Sequence, residues 1–291
     1  MFAEKVLQDR VVVVTGGGTG LGRSMALRFA ELGAKLVLAS RKKEHVEEAA
    51  HEIEAKGGAA LPLTADVRKS DQVEAMVDAA LARFGRLDVL VNNAAGNFMS
   101  PTELLSYNGF AAVVGIVLNG TFNCTLACGR KMIESGRGGS ILNIVASYAW
   151  TGSGFVVPSA AAKAGVLALT RSLAVEWAKY KIRVNAVAPG PFPTPGAWEK
   201  LVPSPEAEEE ARAAIPMKRF GEHAELANLA AYLLSDYSGY INGDCITIDG
   251  GQWLVGGMFN RVAMLDQDGM ARFLQKMMPG GAGGAGGGGD R

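Results

Sequence analysis

Cysteine, histidine and net charge are all scarce in this 291-residue sequence, and each shortage removes a class of function. Lys plus Arg and Asp plus Glu both number 29, so no net field draws in nucleic acid or an anionic membrane. A polyanionic ligand has to be met by local positive patches instead. The three cysteines make no disulfide framework, and an iron–sulfur cluster needs about four thiolates. Cys124 and Cys128 share one helix face at C-x3-C spacing and read as small buried hydrophobes of a reducing compartment. His45, His51 and His223 show no ligand spacing, so no metal site is expected. Residues 1–10 are mixed and charged, without the apolar stretch of a signal peptide, and no run approaches membrane-spanning length. The expected address is the cytoplasm.

What the chain does have is alternation. Short apolar runs at 11–14, 35–39, 60–64, 87–92, 140–145, 183–188 and 245–248 read as strands. Several are rich in Val, Ile and Leu without a two-residue period, as expected where both sheet faces are covered. Helical patterns fill the intervals at 20–32, 43–56, 70–84, 106–134, 159–180 and 222–234. This order predicts an α/β fold, a single doubly wound Rossmann domain over 8–253 with a seven-stranded parallel sheet. Residues 189–216 carry seven prolines and a run of glutamates, so a long connection is expected there, a substrate loop over 191–220 with one short helix at 205–214. A C-terminal extension (254–278) with a helix at 267–278 should follow, then a disordered glycine-rich tail (279–291).

Between the first strand and the first helix lies Thr15-Gly16-Gly17-Gly18-Thr19-Gly20-Leu21-Gly22. Glycines there let the backbone turn tightly and approach a pyrophosphate, whose charge faces the helix N-terminus. A glycine-rich turn alone is weak evidence, but the strand before it and the helix after it supply the context that a nucleotide site needs. Where the second strand ends, an NAD enzyme wants a carboxylate for the ribose hydroxyls. This chain has Ser40-Arg41-Lys42 instead, a planar guanidinium and a hydroxyl suited to a 2′-phosphate, so NADPH is the expected cofactor.

The G-x3-G-x-G spacing resembles the short-chain dehydrogenase/reductase family, and further signatures agree over about residues 8–253. Asn92-Asn93-Ala94-Ala95-Gly96 is similar to that family's NNAG motif, Asp66-Val67 to its adenine-proximal pair, Asn119 to its mid-helix asparagine, and Pro189-Gly190 with Thr194 to its loop after the sixth strand. The resemblance implies that Gly16, Gly18, Thr19, Gly20, Leu21, Gly22, Ser40, Arg41, Asp66, Val67, Asn93, Ala94, Lys163, Pro189, Gly190 and Thr194 hold the cofactor. It also implies a homotetramer.

The family's catalytic pattern is only partly kept. Lys163 is present, but Ser159 stands where the usual tyrosine would be and Ala146 where the usual serine would be. Tyr148 lies fifteen residues before Lys163, just past a strand end, where active sites of such sheets collect. A phenol there suits stabilisation of charge on a thioester oxygen, although loop packing is the alternative role. Together with Asn97-Phe98, Ser100-Pro101, Val117-Leu118-Asn119-Gly120-Thr121, Tyr148-Ala149-Trp150, Gly196-Ala197 and Tyr240-Ile241-Asn242-Gly243-Asp244-Cys245, these features resemble the flavin-free, NADPH-dependent 2,4-dienoyl-CoA reductase branch of the family.

That resemblance implies catalytic roles for Tyr148, Asn97, Lys163, Ser159 and Asn119, with Tyr148 and Asn97 on the thioester oxygen. It implies reduction of 2,4-dienoyl-CoA to a trans-3-enoyl-CoA in β-oxidation of unsaturated fatty acids. Taken alone, Asn97 reads equally well as a loop turn residue. The CoA phosphates would look for Lys200, Lys218 and Arg219 beside the proline-rich loop, where solvated surface charge is the equal alternative. Two other functions stay open from the sequence: a carbonyl-reducing relative acting on a 3-oxoacyl thioester or small ketone, and a non-catalytic NADP-binding regulator.

Overall fold

A computed structural model describes residues 5–194, 198, 204–257 and 259–277. The expected tail, and with it Lys200 and Gly196-Ala197, lies outside the described residues. The strands are β1 (Val11–Thr15), β2 (Lys35–Ser40), β3 (Ala59–Thr64), β4 (Val89–Asn92), β5 (Gly139–Ile144), β6 (Ile182–Pro189) and β7 (Cys245–Ile248). The helices are α1 (Gly20–Glu31), α2 (Lys43–Ala55), α3 (Ser70–Phe84), α4 (Tyr107–Val114), α5 (Gly120–Ser135), α6 (Tyr148–Thr151), α7 (Val157–Glu176), α8 (Pro205–Ala213), α9 (His223–Leu234) and α10 (Gln267–Met277).

All seven strands pair in parallel, in the order β3-β2-β1-β4-β5-β6-β7. The valine run of β1 explains itself once both of its faces are seen. Val12 and Val14 face Met25, Phe29, Val46 and Leu226 of α1, α2 and α9. Val11 and Val13, pointing the other way, join Val73, Met76, Cys124 and Met132 of α3 and α5. Fully burying a side chain such as Phe29 contributes about 1.5–3 kcal/mol, so this three-layer arrangement is held mainly by its two apolar seams. Pro62 is accommodated because β3 is an edge strand, where a missing N–H costs no ladder bond.

The chain turns back between β1 and β4, and this reversal opens a crevice at the carboxyl ends of the strands. Two departures from the sequence reading bear on that crevice. The helix expected over 106–134 is capped by Ser106, whose hydroxyl accepts from the Gly109 N–H at 3.0 Å, and it is interrupted by a π-helical turn, Gly115–Asn119. The helical turn α6 was not foreseen at all, being only four residues long.

The expectation that no run reaches membrane-spanning length also needs correction. The composite helix Tyr107–Ser135, 29 residues, contains an 18-residue stretch with a mean hydropathy of 1.6 and is long and apolar enough by length and composition. Its Cys124, Ala127, Cys128 and Met132 instead pack under α3 in the core.

Candidate active site

The glycine segment is shaped by contacts that leave no room for side chains. Gly16 and Gly20 adopt left-handed φ angles of 64° and 52°. A Cβ on Gly22 would stand 2.2 Å from the Gly16 carbonyl oxygen, and one on Gly18 would meet the His45 backbone at 2.7 Å. Thr15 and Asn93 then lock this loop to the end of β4. The Asn93 and Ala94 N–H groups donate to Thr15 Oγ1 at 3.1 and 3.0 Å, and Asn93 Nδ2 donates to the carbonyls of Thr15 and Gly16. Thr15 was missed by the sequence reading; a hydroxyl closing a strand beside a glycine loop is the signal that could have found it.

A cleft of about 330 Å³ opens beside this loop. Gly16, Thr19, Ser40, Arg41, Asp66, Val67, Asn93 and Ala94 line it, eight of the residues singled out from the sequence, with Lys42, His45 and Ile116 added. Asp66 is held by Arg68, whose Nε donates to its two oxygens at 2.9 and 3.0 Å and whose Nη2 donates to Oδ2, which pulls the carboxyl down to about 2. Val67 is pinned by Asn123, whose amide donates to its carbonyl at 2.9 Å. Arg41 and Lys42 are exposed at the rim, two cations with no carboxylate on β2 to oppose a phosphate. Cradle, cleft and cations fit an adenine dinucleotide.

The other half of the crevice is formed by side chains. Tyr148 stands on α6, directly after β5, and its hydroxyl lies 3.0 Å from the hydroxyl of Ser159 on the first turn of α7. Ser159 is 2% exposed. Lys163 follows one helical turn later and is buried too, its ammonium donating to the Ile144 carbonyl at the end of β5. Burial pushes the lysine down to about 8. The two hydroxyls thus meet at the start of α7, one turn before the ammonium that is anchored to the end of β5.

Asn97 lies on the loop that follows β4. It is exposed, and among the described residues none holds its side chain. Its loop is fixed farther on, where the Ser100 N–H donates to the Phe155 carbonyl at 2.8 Å. Phe155 carries a left-handed φ of 63°, an unfavourable setting for an aromatic residue that the surrounding loop imposes. Pro189 closes β6, and Gly190 has no space for a side chain against Asp249. Thr194 sits over Gly20, its methyl 3.4 Å from where a Cβ would be. Leu21 packs partly buried against the core.

Asn119 does not join the group. It faces outward into a groove with Arg68, Phe122, Asn123 and Glu176, whereas Val117 is the residue buried beside Val145, Ala162 and Val166. Positions two apart on a helix point about 200° from one another, so only one of them can face Lys163. Lys218 and Arg219 are also committed elsewhere. Lys218 Nζ caps the Ala213 carbonyl at 2.8 Å, and the Arg219 fork holds Glu225 at 2.6 and 2.8 Å. Burial pushes the Cys124 thiol up to about 12, which leaves it inert.

Comparison with known proteins shows the family. A family model described as "Enoyl-(Acyl carrier protein) reductase" matches residues 16–252. The chain belongs to the short-chain dehydrogenase/reductase family and is an oxidoreductase. A Bacillus subtilis (strain 168) protein named "Probable 2,4-dienoyl-CoA reductase", (2E)-enoyl-CoA-producing, is 50% identical over 85% of this chain and 98% of its own length. A Caenorhabditis elegans protein named "Probable 2,4-dienoyl-CoA reductase decr-1.2", (3E)-enoyl-CoA-producing, is 44% identical over 87% of this chain and 83% of its own. Among solved structures, a short chain dehydrogenase from Bacillus anthracis superposes with a TM-score of 0.78 at 49% identity, covering 86% of this chain and 98% of its own.

Proposed function

We propose that this enzyme reduces a 2,4-dienoyl-CoA with NADPH in the β-oxidation of unsaturated fatty acids. The observation that carries the reading is the hydroxyl pair Tyr148–Ser159 beside buried Lys163. A hydroxyl donor is present, but it comes from the end of β5 rather than from α7. The dienoyl-CoA names of the relatives support the substrate class.

Bound in the crevice, NADPH supplies a hydride to Cδ of the conjugated dienoyl thioester. Lys163 would hold the nicotinamide ribose, and Ser40 with Arg41 would take the 2′-phosphate. Negative charge then grows on the thioester oxygen, and Tyr148 and Asn97 donate to it. Such donors act strongly because they are oriented before the charge appears. Ser159 supports the Tyr148 hydroxyl from the buried start of α7. Phe98, Met99 and Phe155, exposed apolar side chains on the two loops joined at Ser100, offer a surface for the acyl chain.

Protonation at Cα gives a trans-3-enoyl-CoA, the product proposed here, and protonation at Cγ gives the trans-2 isomer. The two relatives carry one name of each kind, so the product has to be read directly. A homotetramer and a cytoplasmic address complete the reading. The exposed Phe122 beside the outward α5–α7 groove supports the first, and three free cysteines are consistent with the second.

Purified protein should oxidise NADPH with a 2,4-dienoyl-CoA and not with a 3-oxoacyl-CoA, and chromatography of the product should show the trans-3 double bond. Turnover of the 3-oxoacyl thioester alone would make it a carbonyl reductase instead.

A further inference from the structure

We propose that His223 is a positioning residue for the cofactor, tying the loop after β6 to the helix that follows the glycine segment. The proposal rests on the reading that a dinucleotide lies on that segment. His223 opens α9, and both of its ring nitrogens are engaged. Nε2 lies 2.8 Å from the Pro193 carbonyl oxygen and Nδ1 2.7 Å from Ser24 Oγ. A carbonyl only accepts, so Nε2 donates to Pro193, while Nδ1 pairs with the Ser24 hydroxyl, whose single proton is shared between this contact and the Gly20 carbonyl. One imidazole thus spans three segments that are distant in sequence.

The two ends of this bridge both adjoin Gly20 of the glycine segment. Ser24 is one turn after Gly20, and its hydroxyl also lies 3.2 Å from the Gly20 carbonyl. Pro193 immediately precedes Thr194, whose methyl packs over Gly20. The Gly221 N–H donates to the Pro191 carbonyl at 3.0 Å, so residues 221–223 run beside the loop and hold it at two points. Phe192 reinforces the contact, since a Cβ on Gly221 would stand 2.3 Å from its ring. The imidazole fixes the height of Thr194 above the glycine segment, and with it the width of the slot for the nicotinamide half of the dinucleotide. Farther along the same helix pair, Arg28 Nε donates to Asn228 Oδ1 at 2.9 Å. The α1–α9 seam therefore has a second polar tie and does not depend on His223.

Direct titration of the full-length protein with NADPH, followed by fluorescence, tests this without any acyl substrate. His223→Ala removes two net hydrogen bonds and should weaken NADPH about five- to thirtyfold. At saturating NADPH, kcat and the KM for the dienoyl thioester should stay within about twofold of wild type. His223→Gln can donate to the Pro193 carbonyl and accept from Ser24, so it should recover most of the loss. Ser24→Ala should fall between the two, and it supplies the test if His223→Ala does not fold. Unchanged NADPH affinity in His223→Ala and Ser24→Ala would overturn the proposal. So would a parallel fall of kcat, both KM values and melting temperature that His223→Gln fails to rescue. Wild-type protein that binds no NADPH would instead sink the cofactor reading itself.

Discussion

The two halves of the crevice are built on different principles. The glycine segment is shaped by contacts too close for any Cβ at Gly18 and Gly22, and each tie to the end of β4 pairs a side chain, Thr15 or Asn93, with a backbone group. The region beyond β5 is held by side chains, the Tyr148 phenol against the Ser159 hydroxyl and the Lys163 ammonium on the Ile144 carbonyl. Backbone geometry that only glycine satisfies leaves little freedom in sequence. A hydroxyl needs only to arrive at the right point, and the chain can deliver it from a different position. The difference shows why a cofactor site can keep its pattern while the catalytic donor moves.

Asn97→Ala presses hardest on the side-chain half. If its amide serves the thioester oxygen, kcat should fall about 10²- to 10³-fold with NADPH affinity unchanged, the usual worth of one such donor. Steady-state kinetics on a dienoyl-CoA would show it, and full activity would return Asn97 to the role of a turn residue.

Arg41→Ala sharpens the cofactor half. Losing a charge-assisted contact costs about 1.5–3 kcal/mol, so NADPH should bind about ten- to a hundred-and-fifty-fold more weakly while NADH is little affected. Equal losses for both cofactors would mean that Arg41 is structural.

Acidity links the halves through Lys163. Its folded pKa, about 8, lies below the ordinary lysine value of 10.5 because burial disfavours the charged form. Between those values the unfolded chain binds the extra proton, so Lys163 makes the fold more stable as pH rises through this window. If Lys163 serves the ribose as a cation, that role is lost over the same window. The kcat/KM should therefore be level below about 8 and fall about tenfold per pH unit above it. Lys163→Arg should move that break upward.

Much of this was legible from residues alone. The seven strands stand in the sequence as apolar runs, because a parallel sheet covered on both faces needs no alternation. The glycine cradle was legible for the reason given above. What escaped had short-range or side-chain causes. Four residues of α6 are too few to show a helical period. Asn119 matched a motif, but its direction depends on helix phase, which put Val117 inward. Arg219 looked available for phosphate until its fork was seen on Glu225. Single bridging contacts such as those of Thr15 and His223 depend on partners 78 and 199 positions away, beyond any local pattern.

The central claim is that the working hydroxyl belongs to residue 148 and not to residue 159, and one side-by-side measurement addresses it. Tyr148→Phe and Ser159→Ala should be compared for kcat on a single 2,4-dienoyl-CoA at saturating NADPH. The phenylalanine keeps the ring and removes only the donor, so kcat should drop about 10²- to 10³-fold, with a smaller loss for Ser159→Ala. A Tyr148→Phe enzyme at full speed, beside a nearly inactive Ser159→Ala, would contradict the account.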